Sequence, residues 1–173
     1  FITFCYGYLP NHRLGTLIYE NARIVGPPVF TEEEKRFANK IRKNYGIEEI
    51  AEPIHEGLTF TKDGVDMYAQ DGGDASWIAP LASVNCAFPK DITVHGWGTT
   101  AVSGSSIGHK GLIFCAKTLA ATSADLLTEP ALLKEMKEEH HKRTGGRSYT
   151  CLVSPDVRPI TGDFMSYHIK QRW

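Results

Sequence analysis

The chain has 173 residues, enough for one domain with its own hydrophobic core. Hydrophobic residues make up 42% and charged residues 23%, and a formal net charge of −1 leaves no basic footprint for nucleic acid. No apolar run reaches the roughly 18 residues of a membrane helix, so neither nucleic acid nor membrane is an expected partner.

The opening "FITFCYGY" alternates large apolar with small or polar residues and predicts a strand. It starts at Phe1 without an initiator Met, a basic n-region or a small-residue cleavage site. That start predicts a piece of a longer chain or a processed product, in the cytoplasm. Cys5, Cys86, Cys115 and Cys151 are widely spaced and form no CxxC pair, which argues against a zinc ribbon and for free thiols in a reducing compartment.

Asn11 is a candidate N-cap for a helix that places Leu14, Leu17, Ile18, Ala22 and Val25 on one face. Gly26, Pro27 and Pro28 stop it. A second helix opens with a capping box, Thr31 with Glu34, and carries Phe37, Ala38, Ile41 and Tyr45 inward up to Gly46. Residues 47–70 lack periodicity and predict a loop with short elements. "DGGDASWIAP" reads as a Gly-rich turn, and "LASVNCAF" and "DITVHGW" as two strands, the second ending at His95. After a loop over 98–106, residues 106–127 predict a mostly buried helix capped by Ser105 or Ser106, with Gly108 and Gly111 permitting close packing. Thr128 caps a last helix with Pro130 in its first turn and Leu132, Leu133 and Met136 inward, closed by Gly145-Gly146. "SYTCLVS" predicts a final strand. Helices alternating with strands predict an α/β layer, with few strands for a complete sheet.

The stretch "HGWGTTAVSGSSIGHKG" holds the most informative chemistry. "GWGTTA" fits G-x-G-x-x-A, yet the dinucleotide fingerprint needs a helix opening at the loop and an acid about 20 residues on, and neither is expected here. A plain turn explains those glycines as well. His95, at a strand end beside Gly96, can point its ring into a cleft, and a neutral imidazole is a good zinc ligand. A lone histidine there is also often just hydrogen-bonded or exposed. His109 sits one turn into a helix, where the dipole favours neutral imidazole, or it is a surface residue of the cap region. Asp74 could orient a ligand histidine, or simply serve turn chemistry beside Gly72-Gly73. His140 and His141 lie in a charged helix end and are expected to be solvated; His12 and His55 have no partner pattern. Ser105 and Ser106 lack a nucleophile elbow.

Three motifs taken together, Gly73-Asp74-Ala75-Ser76-Trp77, His95-Gly96-Trp97 and Gly108-His109-Lys110-Gly111, resemble the zinc-dependent amidohydrolases of the aminoacylase/carboxypeptidase superfamily. "YLPN" at residues 8–11 also fits, and the likeness is weakest at 47–70 and after 150. The resemblance implies the C-terminal portion of a three-layer α/β zinc-peptidase-like catalytic domain without its lid. Residues 1–9 would be the last lid strand or linker and residues 10–173 the catalytic part. It further implies a binuclear zinc site, of which His95 matches the last histidine ligand, while Asp74 and His109 are candidates for orienting a ligand or touching substrate. The family's other ligands and its glutamate base have no counterpart here. The implied reaction is metal-assisted hydrolysis of an N-acyl amino acid such as an aroyl-glutamate, with the N-terminal portion of the same domain as partner and no activity from this chain alone. Other readings stay open: a homologue that kept the fold and lost the site, a nucleotide-binding domain resting on "GWGTTA", and a half-domain that self-associates through strand edges.

Overall fold

The computed structural model describes residues 4–60, 72–86 and 88–157. Among them lie six helices: α1 (His12–Val25), α2 (Glu32–Asn44), α3 (Gly72–Ile78), α4 (Trp97–Ser103), α5 (Ser106–Thr128) and α6 (Pro130–Thr144).

Local capping chemistry sets the helix ends. Asn11 accepts from the Leu14 amide at 2.9 Å and so satisfies a free N–H of α1, while Gly26, at φ 80°, ends that helix. The capping box of α2 is complete: the Thr31 hydroxyl accepts from the Glu34 amide, and the Glu34 carboxylate accepts from the Thr31 amide at 2.7 Å. Ser105 caps α5 through the Ile107 amide. Gly145 closes α6 in the left-handed conformation at φ 64°. At the start of α6 the expected cap is displaced by one residue. Thr128 is the last residue of α5, and Glu129 occupies the cap before Pro130.

One core gathers Phe30, Ala38, Ile41, Ile54, Val102 and Ile107, where α2 meets α4 and the start of α5. Val102 and Ile107 are wholly buried, each contributing about 2 kcal/mol by removal from water. A second seam runs where α1 packs along α5. It is partly polar: Asn21 donates to the Asp125 carboxylate at 2.7 Å, and Thr118 and Thr122 are buried beside Phe114. At Gly111 a Cβ would come within 2.6 Å of the Cys86 Cβ, so the loop 82–86 packs closely on α5 at this glycine.

The α/β expectation fails. Among the described residues there is no strand and no sheet, so the chain is not a three-layer α/β domain. The bridges among the described residues are isolated ones, Pro10 with Leu81 and Ile54 with Pro89, and residues 94–96 of the segment read as the second strand form a bend. The physical reason lies at those bridges. Each contains a proline, which has no amide N–H to pass a ladder on. Asn11 donates to the Leu81 carbonyl, His55 to Phe88 and Lys90 to Pro53, and pairing stops there. Residues 148–154, read as a last strand, are irregular. Residues 1–3 of the first predicted strand lie outside the described residues, as do residues 61–71.

Two further corrections concern helices. "GGDASWI" is α3 rather than a turn. And α5 is not mostly buried, since Leu112, Ile113, Leu119 and Leu127 are exposed on its outer side. Apolar residues lie on every side of its sequence, which hid the face that packs. In α6, Met136 is buried as expected, whereas Leu133 faces outward. No helix among the described residues is long and apolar enough to cross a membrane.

Candidate functional site

The His95 region is built from α2 outward. Tyr45, just past the end of α2, stacks on Trp97 with ring centroids 5.0 Å apart and planes 7° from parallel. Its hydroxyl accepts from the Gly98 amide at 3.1 Å. A Cβ at residue 96 would come within 2.6 Å of that hydroxyl and one at residue 98 within 2.8 Å of the ring, so both glycines are required by Tyr45. The glycines of "GWG" thus seat an aromatic residue, and α4 opens directly there with Gly96 as its cap. The helix missing from the nucleotide fingerprint is present, but no strand precedes it. Thr99 reaches back to the carbonyls of Thr93 and Val94 at 3.1 and 2.7 Å. Upstream, buried Arg42 binds the Lys90 carbonyl and the Asp91 carboxylate and holds the loop that leads in. His95 therefore stands in a bend, not at a strand end. It is exposed, and its ring has no hydrogen-bond partner among the described residues.

Asp74 lies in α3, and the whole "GGDASW" motif grips residues 6–9. The Asp74 carboxylate accepts from the Tyr6 amide at 3.1 Å. The Ser76 hydroxyl accepts from the Leu9 amide at 2.9 Å, and the Trp77 indole donates to the Gly7 carbonyl at 2.9 Å. At Gly73 a Cβ would stand 1.9 Å from the Tyr6 carbonyl oxygen, so only glycine fits. His140 donates from Nε2 to the Ser76 carbonyl at 2.9 Å, which ties α6 to α3 and takes it out of the solvated class expected for it. Tyr149 completes the cluster. Burial, then its bond with the Cys151 thiol, then the Asp74 charge push its phenol up to about 12.

His109 is exposed in the first turn of α5. Its neighbour Lys110 turns inward and donates to the Glu34 carboxylate at 2.7 Å, and Ser106 donates to the other oxygen at 2.7 Å. Burial works to raise the Glu34 pKa, but the bonds from Lys110, Ser106 and Thr31 outweigh it and bring the pKa down to about 2. Such a carboxylate stays ionised and makes a poor proton carrier at neutral pH. "GHKG" therefore joins α5 to the capping box of α2.

No described contact joins His95, Asp74 and His109. Among the described residues no three His, Cys, Asp or Glu side chains come together as a metal would need. The described residues do not make a metal centre by themselves.

The structure does enclose a cavity of about 500 Å³ between α1, the loop 55–60, the loop 82–86 and α5. His12, His55, Tyr19, Phe60, Cys86 and Phe114 are among its walls. His12 and His55 had no pattern to join them in the sequence, because one opens a helix and the other sits in an aperiodic loop.

The chain is similar to one of the subunits of p-aminobenzoyl-glutamate hydrolase from Escherichia coli (strain K12). The two are 29% identical over 181 aligned positions, which take in 90% of this chain and 38% of that protein. The chain thus spans a little over a third of the length of that relative. No family model matches the chain. No solved structure matches it either.

Proposed function

We propose that this chain contributes to a metal-dependent amidohydrolase that cleaves N-acyl amino acids, p-aminobenzoyl-glutamate among them. The similarity across 90% of the chain carries the reading. In it, residues 10–173 belong to the C-terminal part of a catalytic domain, and the chain alone turns over no substrate. Amide hydrolysis needs a group that takes a proton from water and returns it to the leaving amine. Glu34 is held too acidic for that role, and the reading puts the base and the remaining metal donors in the N-terminal portion of the same domain.

Within this reading His95 is the zinc ligand, and Asp74 and His109 are candidates for orienting a ligand or touching substrate. The exposed, unbonded imidazole of His95 is free to bind a metal, whereas the Asp74 carboxylate is occupied by Tyr6 and Tyr149. Zinc content by elemental mass spectrometry on the full-length protein, wild type and His95→Ala, tests it. The expected result is about two zincs falling to about one in the variant. Full retention in His95→Ala removes that residue from the site. A wild-type protein that binds no added zinc overturns the metallo-hydrolase reading and favours a homologue without the site.

A further inference from the structure

We propose that Cys86 and Cys115 are a modification site, a dithiol pair that closes to a disulfide and pins the loop 82–86 onto α5. Cys86 rests on Gly111, where the absence of a side chain lets its Cβ and Sγ come within 2.6 and 3.0 Å of the position a Cβ would take. Cys115 is four residues on, one helical turn along the same face. After burial, the Cys86 thiol is the neighbour that raises the Cys115 thiol. Both are free, Cys86 exposed and Cys115 half-buried. The sequence offered no such pairing, since 28 residues separate the two cysteines.

Exposure assigns the order of events. A hydroperoxide reaches Cys86 first. The Cys86 thiolate attacks its O–O bond, forming a sulfenic acid and releasing water or alcohol. The Cys115 sulfur then attacks the Cys86 sulfur, the S–S bond forms, and the hydroxyl leaves as water with the Cys115 proton. In sum, two thiols are oxidised and one peroxide is reduced. Burial, with the neighbouring Cys86 thiol, pushes the Cys115 thiol up, which makes it the less ready of the two to react with peroxide first. Cys86 and Phe114, the residue before Cys115, both line the 500 Å³ cavity, so the bond would fix one of its walls. The inference does not depend on the proposed hydrolase activity.

The test is stoichiometric hydrogen peroxide on the full-length protein, followed by alkylation, intact-mass measurement and peptide mapping. The expected result is a mass loss of about 2 Da and a linked peptide pair containing Cys86 and Cys115. Cys86→Ser and Cys115→Ser should each abolish that link, while Cys5→Ser and Cys151→Ser keep it. Gly111→Ala should slow the reaction several-fold, because its methyl displaces Cys86. Links to other cysteines, disulfide dimers alone, or over-oxidation of Cys86 without a link would each overturn the proposal.

Discussion

Glu34→Gln is the most direct perturbation of the joint between α2 and α5. The glutamine keeps an oxygen for the Thr31 amide, so the capping box survives, but it loses the charge that Lys110 faces at 2.7 Å. The Glu34 side chain is 8% exposed but that of Lys110 is 36% exposed, so water screens the pair in part. Its pKa falls from 4.5 to about 2 on folding. A drop of that size corresponds to at most about 3 kcal/mol of stability at pH 7. Because the folded pKa is the depressed one, that stability is present above pH 4.5 and is lost as the pH falls towards 2. By pH 3 only about 1.4 kcal/mol should remain. Urea unfolding followed by circular dichroism reads this out. With a slope of about 2 kcal/mol per molar, the variant midpoint should lie about 1.5 M below wild type at pH 7, and the two should converge by pH 2. A gap that stays constant from pH 7 to pH 2 would refute the linkage assigned to Glu34.

Gly73→Ala should unseat residues 6–9 from α3, since its methyl would meet the Tyr6 carbonyl at 1.9 Å. A loss of about 2 kcal/mol or more is expected, seen as a Tm lower by about 5 °C; an unchanged melt would mean that the grip is not formed. The phenol of Tyr149, held up at about 12, should be among the last to ionise in an ultraviolet titration. Asp74→Asn removes a negative charge that opposes the phenolate, so it should bring that ionisation to lower pH, and no change would separate Asp74 from Tyr149.

Much of the helical framework was legible because its signals are local. A cap at Asn11, a box at Thr31 and Glu34, and a left-handed glycine at 145 act over three or four residues. The short helices escaped for the opposite reason. Gly72 and Gly73 disfavour a helix, yet α3 forms because its side chains bind a segment some 67 residues away. The strands were misread because alternation describes a segment, whereas a strand needs a partner with free amides, and Pro10 and Pro89 stand where the partners meet.

The three motifs divide in the same way. That Gly73, Gly96 and Gly98 needed to be glycine could be suspected from their setting, but the reason is visible only in the fold: the Tyr6 carbonyl at one and the Tyr45 ring and hydroxyl at the others. His95 was a candidate because the sequence reads a strand ending there beside Gly96 and because the motif resembles a family's ligand histidine, whereas the structure puts it in a bend. Its exposure, and its distance from any cluster of donors among the described residues, were decided by packing. The sequence by itself determined which of the longer segments are helical and where most of them end, because backbone capping is settled within a turn. The tertiary structure decided that the segments read as strands form no sheet, that Glu34 is locked by Lys110, and that Cys86 packs on Gly111. Those outcomes depend on which surfaces are brought together across long stretches of chain, and no local pattern encodes that.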